Sequence, residues 1–198
     1  MTVTQSSLKS NIVTKRGGGI LAHYSNLTVS DSSFMMNYAG FYGGGCYAFY
    51  YTTLTINGSS FISNIVELQM GGVGGWPGSI ITVTKSTFRS NSALIEVGGG
   101  LYVGNSGHRC TVTDSLFEGN YAGQDGGGIK SLQLTNLDVS KCTFVSNSVS
   151  TGGGGGVASF FSSVAIEECS FLANSAALDL GHDVLSYASA TNISNTYL

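Results

Sequence analysis

The chain has 198 residues, of which 29 are glycine, one is proline and 10% are charged, for a net charge of −3. An apolar share of 42% is too high for a disordered chain, and the glycines lack the strict triplet period of collagen. No apolar run reaches the length of a membrane span, and eight Lys and Arg against eleven Asp and Glu give no electrostatic reason to expect nucleic acid or an anionic membrane.

Read from the N-terminus, one unit recurs. Val3 precedes Leu8, Leu8 stands three residues before Asn11, and glycines 17 to 19 lead into Ile20. Leu27 and Val29 then alternate with polar residues before Phe34 and Asn37, and glycines 43 to 45 lead into Cys46. The same order follows at Phe61 and Asn64 with Val73, at Phe88 and Asn91 with Leu101, and at Phe117 and Asn120 with Ile129. It continues at Phe144 and Asn147 with Val157, and at Phe171 and Asn174 with a degenerate Gly181, His182, Asp183, Val184. From Leu8 to Leu198 the intervals are 26, 27, 27, 29, 27, 27 and 27 residues. A segment that recurs at a fixed interval is architecture before it is an active site.

Three apolar rows run through the units. Five residues before each Phe or its Leu equivalent stand Val3, Val29, Ile56, Val83, Val112, Val139, Ile166 and Ile193, all β-branched and flanked mostly by polar residues. That is the period-2 pattern of a half-buried strand, with no helical period beside it. Five residues after each Phe-type position stand Val13, Ala39, Val66, Ala93, Ala122, Val149 and Ala176, and the residue after the glycines forms the third row. The pattern predicts an all-β parallel β-helix of about seven coils of about 27 residues, with three strands per coil and a length of about 34 Å at about 4.8 Å per coil. In such a stack Asn11, Asn37, Asn64, Asn91, Asn120, Asn147 and Asn174 form a ladder at a tight bend, each amide donating to the next carbonyl.

The repeated "FMMN", "FISN", "FRSN", "FEGN", "FVSN" and "FLAN", with "GGGI", "GGGC", "GGGL" and "GGGV", resemble the chlamydial polymorphic outer membrane protein repeat over essentially the whole chain. The resemblance implies a right-handed, pectin-lyase-like β-helix, a surface-exposed passenger of a secreted protein, often adhesive. It also implies an extracellular or cell-surface location. No stretch of the 198 residues itself reads as a secretory leader. Met1 occupies an inward row and Leu198 a Phe position, so residues 1 to 198 read as one β-helix segment cut from a longer solenoid. Flanking domains or end-to-end partners are expected to cover its ends.

The chemical candidates are few. Cys46 and Cys110 lie in apolar rows, while Cys142 and Cys169 replace serine in a row two residues before Phe, so buried thiols are expected. A Cys142–Cys169 disulfide between stacked coils would be strained. Glu96 and Asp125, both eight residues after a Phe, are the candidate metal-binding acids. Lys85, Asp114, Lys141 and Glu168, and Arg89 with Glu118, read as exposed charge ladders. His108 and His182 have no acid or nucleophile beside them in sequence. Tyr24, Phe49, Tyr50, Phe160 and Phe161 are the binding candidates, as platforms for sugar rings or a protein partner, in a cluster that includes His23, Tyr47, Tyr51 and Tyr187. Asn26, Asn57 and Asn192 sit in glycosylation sequons. No catalytic residue and no cofactor is expected, and the leading expectation is a non-enzymatic stalk or adhesin-like scaffold. The alternatives are a polysaccharide-active β-helix lyase or hydrolase and an ice-binding protein acting through Thr-x-Thr pairs such as Thr82/Thr84 and Thr111/Thr113.

Overall fold

The computed structural model describes residues 1–105, 109–133, 135–177 and 180–197. Leu198, the last repeat position, and His108 lie outside the described residues. The chain winds as a solenoid in which every strand pairs in parallel with its counterpart one turn away. Sheet 1 has eight strands, from Thr2–Thr4 to Ala190–Ser194, and sheet 2 has seven, from Ser7–Lys9 to Ser170–Leu172. Sheet 3 has six two-residue strands, from Ile12–Val13 to Ser148–Val149, and sheet 4 has seven, from Ile20–His23 to Val184–Tyr187.

Each complete coil therefore carries up to four short strands, where the three apolar rows predict three. The difference lies at the Phe row, which forms sheet 2 by itself. Backbone in the left-handed region bends the chain on both sides of it: Asp31, Lys85, Asp114, Lys141 and Glu168 before Phe, and Met36, Ser63, Ser90 and Ser146 after it, all have φ between 48° and 54°. Non-glycine residues adopt this region only at a cost, so the bend recurs because the stacked coils over-determine it.

The interior holds the β-branched row, the Phe row and the row after the glycines as one buried cluster. Phe34, Phe61, Phe88, Phe117, Phe144 and Phe171 stack in series with ring centroids 4.6–5.1 Å apart and planes within 15°. Beside them the asparagines are satisfied completely. Asn91 Oδ1 accepts from Asn64 N at 3.1 Å and Asn64 Nδ2 at 2.9 Å. Its Nδ2 donates to Asn120 Oδ1 at 3.0 Å and to Phe61 O at 2.8 Å. The pattern runs from Asn11 to Asn174, where Asp183 Oδ1 takes the place of an eighth asparagine and accepts from Asn174 Nδ2 at 2.9 Å. Each buried amide in the middle coils thereby uses both its donors and its acceptor.

A second ladder runs at the first bend. Ser32, Ser59, Ser86 and Ser115 each accept from the backbone N of the preceding coil at 3.1–3.2 Å and donate to the carbonyl two residues back. Cys142 and Cys169 continue it: Cys142 N donates to Cys169 Sγ at 3.5 Å, and Cys142 Sγ donates to Ser140 O at 3.1 Å. All four cysteines are buried free thiols. Among the described residues no helix is long and apolar enough to cross a membrane.

Candidate functional site

The four-residue strands of sheet 4 turn their first and third residues inward, as with Cys46 and Ala48, and their second and fourth outward. Register places Leu21, Tyr47, Gly74, Tyr102, Lys130, Ala158 and Leu185 in the second row. His23, Phe49, Trp76, Gly104, Leu132 and Phe160 occupy the fourth in successive coils. An outward row should face water, yet Tyr47 and Tyr102 are 1% exposed. Met70 and Val97, from the loops that enter this sheet, cover them in a small outer core to which Tyr42, Phe49, Trp76 and Leu132 also pack. Burial pushes both tyrosine hydroxyls well above their usual pKa.

At the edge of this outer core lies a cleft of about 220 Å³. Its walls are Tyr42, Tyr47, Phe49, Tyr50, Trp76 and Pro77, and Arg16 stands at its rim. The guanidinium carbon is 5.4 Å from the Tyr42 ring centre and 4.9 Å from that of Phe49. Trp76 meets Tyr42 edge-on at 5.6 Å. A second depression of about 600 Å³, lined by Lys15, Arg16, Leu21, Phe41 and Tyr42, adjoins it.

The corner from sheet 4 back to sheet 1 carries the next aromatic group. Tyr24, Tyr50 and Tyr51 have φ of 46°, 45° and 47°. Tyr24 lies 5.5 Å from Tyr50 and 6.1 Å from Tyr51, ring planes within 23°. Tyr24 is 63% and Tyr51 71% exposed. Bulky residues in left-handed backbone at an exposed turn, where Asn or Gly would sit without strain, are unusual.

Tyr24, Phe49 and Tyr50 are thus brought together, whereas Phe160 and Phe161 lie four strands away along sheet 4. Phe160 has another partner. Lys130 Nζ stands 3.2 Å from its ring centre and 3.1 Å from Asp125 Oδ2, with the Lys130 side chain 3% exposed. Burial lowers the Lys130 pKa to about 8 against the opposing pull of Asp125. Phe161 meets Tyr187 edge-on at 5.6 Å.

The candidate acids do not share a row. The loop before Gly98 is one residue longer than that before Gly126, so Gln124 N bonds to Glu96 O while Gly98 N bonds to Asp125 O. Glu96 accepts from Gln69 Nε2, and Asp125 binds Lys130 and, through Oδ1, Gly153 N at 3.0 Å. Among the described residues no group of three or more His, Cys, Asp or Glu converges as a metal site. His182 Nδ1 accepts from Ala176 N at 3.0 Å. Arg89 and Glu118 pair at 2.8 Å and Lys141 and Glu168 at 3.9 Å, all at about half exposure, where such pairs contribute little.

On sheet 1, Thr2, Thr28, Thr55, Thr82 and Thr111 align outward in five consecutive coils, and Asp138, Ala165 and Asn192 end the run. Arg16, Tyr42, Trp76, Pro77 and Lys130 were not singled out from sequence. The legible signal was position: Arg16 and Tyr42 stand immediately before the left-handed Gly17 and Gly43, and Trp76 ends its strand in register with Phe49.

A comparison with curated proteins finds no match. The family model described as right handed beta helix region matches residues 2–144 and 71–197. With parallel coils paired in register along the same span, the chain belongs to the right-handed β-helix family.

Proposed function

We propose that the chain is a non-enzymatic β-helix scaffold of an extracellular or cell surface, structural in its body and adhesive along the aromatic outer face of sheet 4. The Phe-x-x-Asn and Gly-Gly-Gly-Ile rows, which resemble the chlamydial polymorphic outer membrane protein repeat, support the surface assignment. The fold alone is compatible with either a surface scaffold or a polysaccharide-active enzyme. The observation that favours the scaffold is the use of side chains. The recurring polar positions are consumed in ladders, and the residues left over at one corner are the exposed rings of Tyr24 and Tyr51, with the half-buried Tyr50 between them, beside the Arg16 cleft.

Retention on a mixed-glycan surface should fall at least severalfold in a Tyr24→Ser/Tyr50→Ser variant with an unchanged unfolding curve. Incubation with polyuronides and other acidic glycans should yield no cleavage product. Specific product that disappears on Glu96→Gln or Asp125→Asn substitution would overturn the scaffold reading in favour of an enzyme.

One observation favours a second reading, ice binding. Five threonines in unbroken register on a parallel sheet present hydroxyl and methyl groups at a spacing fixed by the backbone. Thermal hysteresis that vanishes in Thr82→Lys and Thr111→Lys would support it, and its absence in the unaltered chain would dismiss it.

A further inference from the structure

We propose that the cleft beneath Arg16 binds an anionic sugar ring, carboxylated or sulfated, by stacking it on the aromatic walls and pairing its charge with the guanidinium. The proposal rests on the adhesive reading above and names the ligand class of its face.

The first argument is charge. Of the eight Lys and Arg in the chain, Arg89, Arg109, Lys130 and Lys141 are in ion pairs. Among the described residues Arg16 has no carboxylate within ion-pair distance and donates no side-chain hydrogen bond. It is nonetheless held in place, because the Tyr42 and Phe49 rings flank it at 5.4 Å and 4.9 Å. A guanidinium positioned by ring faces keeps its in-plane N–H fork unused, and that fork matches a carboxylate or sulfate with two parallel hydrogen bonds. Positioning before binding removes part of the entropic cost of capture.

The second argument is shape. The cleft, at about 220 Å³, is smaller than the roughly 300–1,000 Å³ of pockets for drug-sized ligands, so it admits one ring and no folded segment. Tyr42, Phe49, Tyr50 and Trp76 supply apolar faces, and the tyrosines and tryptophan add polar tips, suited to a ring that is apolar on its faces and hydroxylated at its edge. The adjoining depression shares Arg16 and Tyr42 and adds Lys15, so a second ring can continue outward beside a second cation. Two cations in a chain of net charge −3 are too few to hold a nucleic-acid backbone. A cationic ligand is disfavoured because the Arg16 guanidinium would repel it at the same cleft.

The protein carries its own reporter, since Trp76 is the single tryptophan and lines the cleft. Emission excited at the indole band is titrated with oligogalacturonate, dextran sulfate and neutral dextran, each reaction also being sampled for chain scission. A saturable change with one or both anionic probes and none with dextran is expected. The two anionic arms separate carboxylate from sulfate as the source. Arg16→Gln should weaken binding at least tenfold, Arg16→Lys by less, and Lys9→Gln, which alters an exposed cation elsewhere, not at all. Unchanged binding in both Arg16 variants, equal binding of dextran, or no response to either anionic probe overturns the proposal. Equal binding of dextran would leave the adhesive reading standing and remove only the selection for charge. Scission of the anionic probes would remove the non-enzymatic reading while leaving occupancy of the cleft intact.

Discussion

Met70 fills the space that Gly74 leaves open. In the other coils the turn into sheet 4 has glycine in left-handed backbone, as at Gly43 and Gly98, and a side chain four residues on, Tyr47 and Tyr102. In this one coil the two exchange: Met70 has φ 75° and is fully buried, and a Cβ on residue 74 would overlap the Met70 thioether Sδ together with its Cγ and Cβ.

The exchange should appear as coupling. Met70→Gly alone should destabilise by about 1–3 kcal/mol, the cavity cost exceeding the relief of backbone strain. Gly74→Tyr alone should be worse, because the ring would overlap Met70. The double variant should recover at least 0.5 kcal/mol relative to the sum, within the roughly 0.5–3 kcal/mol range of contacting pairs. Denaturant unfolding of the four proteins measures it, and strict additivity would refute the exchange.

The asparagine ladder should be least tolerant in its middle. Asn91→Ala deprives Asn64, Asn120 and Phe61 O of partners and should cost about 3–5 kcal/mol as several buried groups go unpaired. Asn91→Asp keeps the shape but not the two donors and should do no better. At the end of the ladder Asp183→Asn should be nearly neutral, since an oxygen remains for Asn174 Nδ2, while Asp183→Leu should cost about 1–2 kcal/mol. Thermal unfolding of the four variants gives the ranking.

The cysteines should divide by environment. Cys142→Ser should shift stability by less than about 1 kcal/mol, because serine already occupies that rung in four coils and bonds both ways there. Cys46 lies wholly within the apolar interior, where burial pushes its thiol up to about 12. Cys46→Ser should cost about 1–3 kcal/mol for an unpaired buried hydroxyl. Equal effects in a calorimetric comparison would show that the two sites are not distinct in this way.

Lys130 makes a prediction in pH. Its folded pKa of about 8 lies below the ordinary 10.5, so between these values the unfolded chain binds more protons than the folded one. Stability then rises with pH across that window, and below pH 8 a constant cost of burying the cation remains. The difference between the unaltered chain and Lys130→Met isolates this contribution from tyrosines and cysteines that titrate nearby. Relative to Lys130→Met, the unaltered chain should gain on the order of 2–3 kcal/mol from pH 8 to 10.5. A flat difference would place the ammonium in a better-solvated setting.

The solenoid was legible in the sequence because its rows repeat at one interval: the β-branched row, the Phe stack and the Asn positions each report the same turn. Counting strands was harder, since the bends around Phe fall on Lys85, Ser90 and similar residues that carry no glycine signal for left-handed backbone. The cleft was half legible. Tyr24, Phe49 and Tyr50 announce themselves as an aromatic cluster, but Arg16, Tyr42 and Trp76 come from different coils, and only register and loop packing bring them together. Loop length hid the separation of Glu96 from Asp125, because one added residue before Gly98 moves the acid out of line.

Since each strand pairs only with its counterpart one turn away, the hydrogen bonds of all four sheets point along the axis of the solenoid. Tension along that axis loads all the bonds between two neighbouring turns at once, together with one Phe contact and one Asn rung, so the molecule should be stiff when pulled end to end. A sideways pull on a terminal strand loads those bonds one after another and should peel the end turn at lower force.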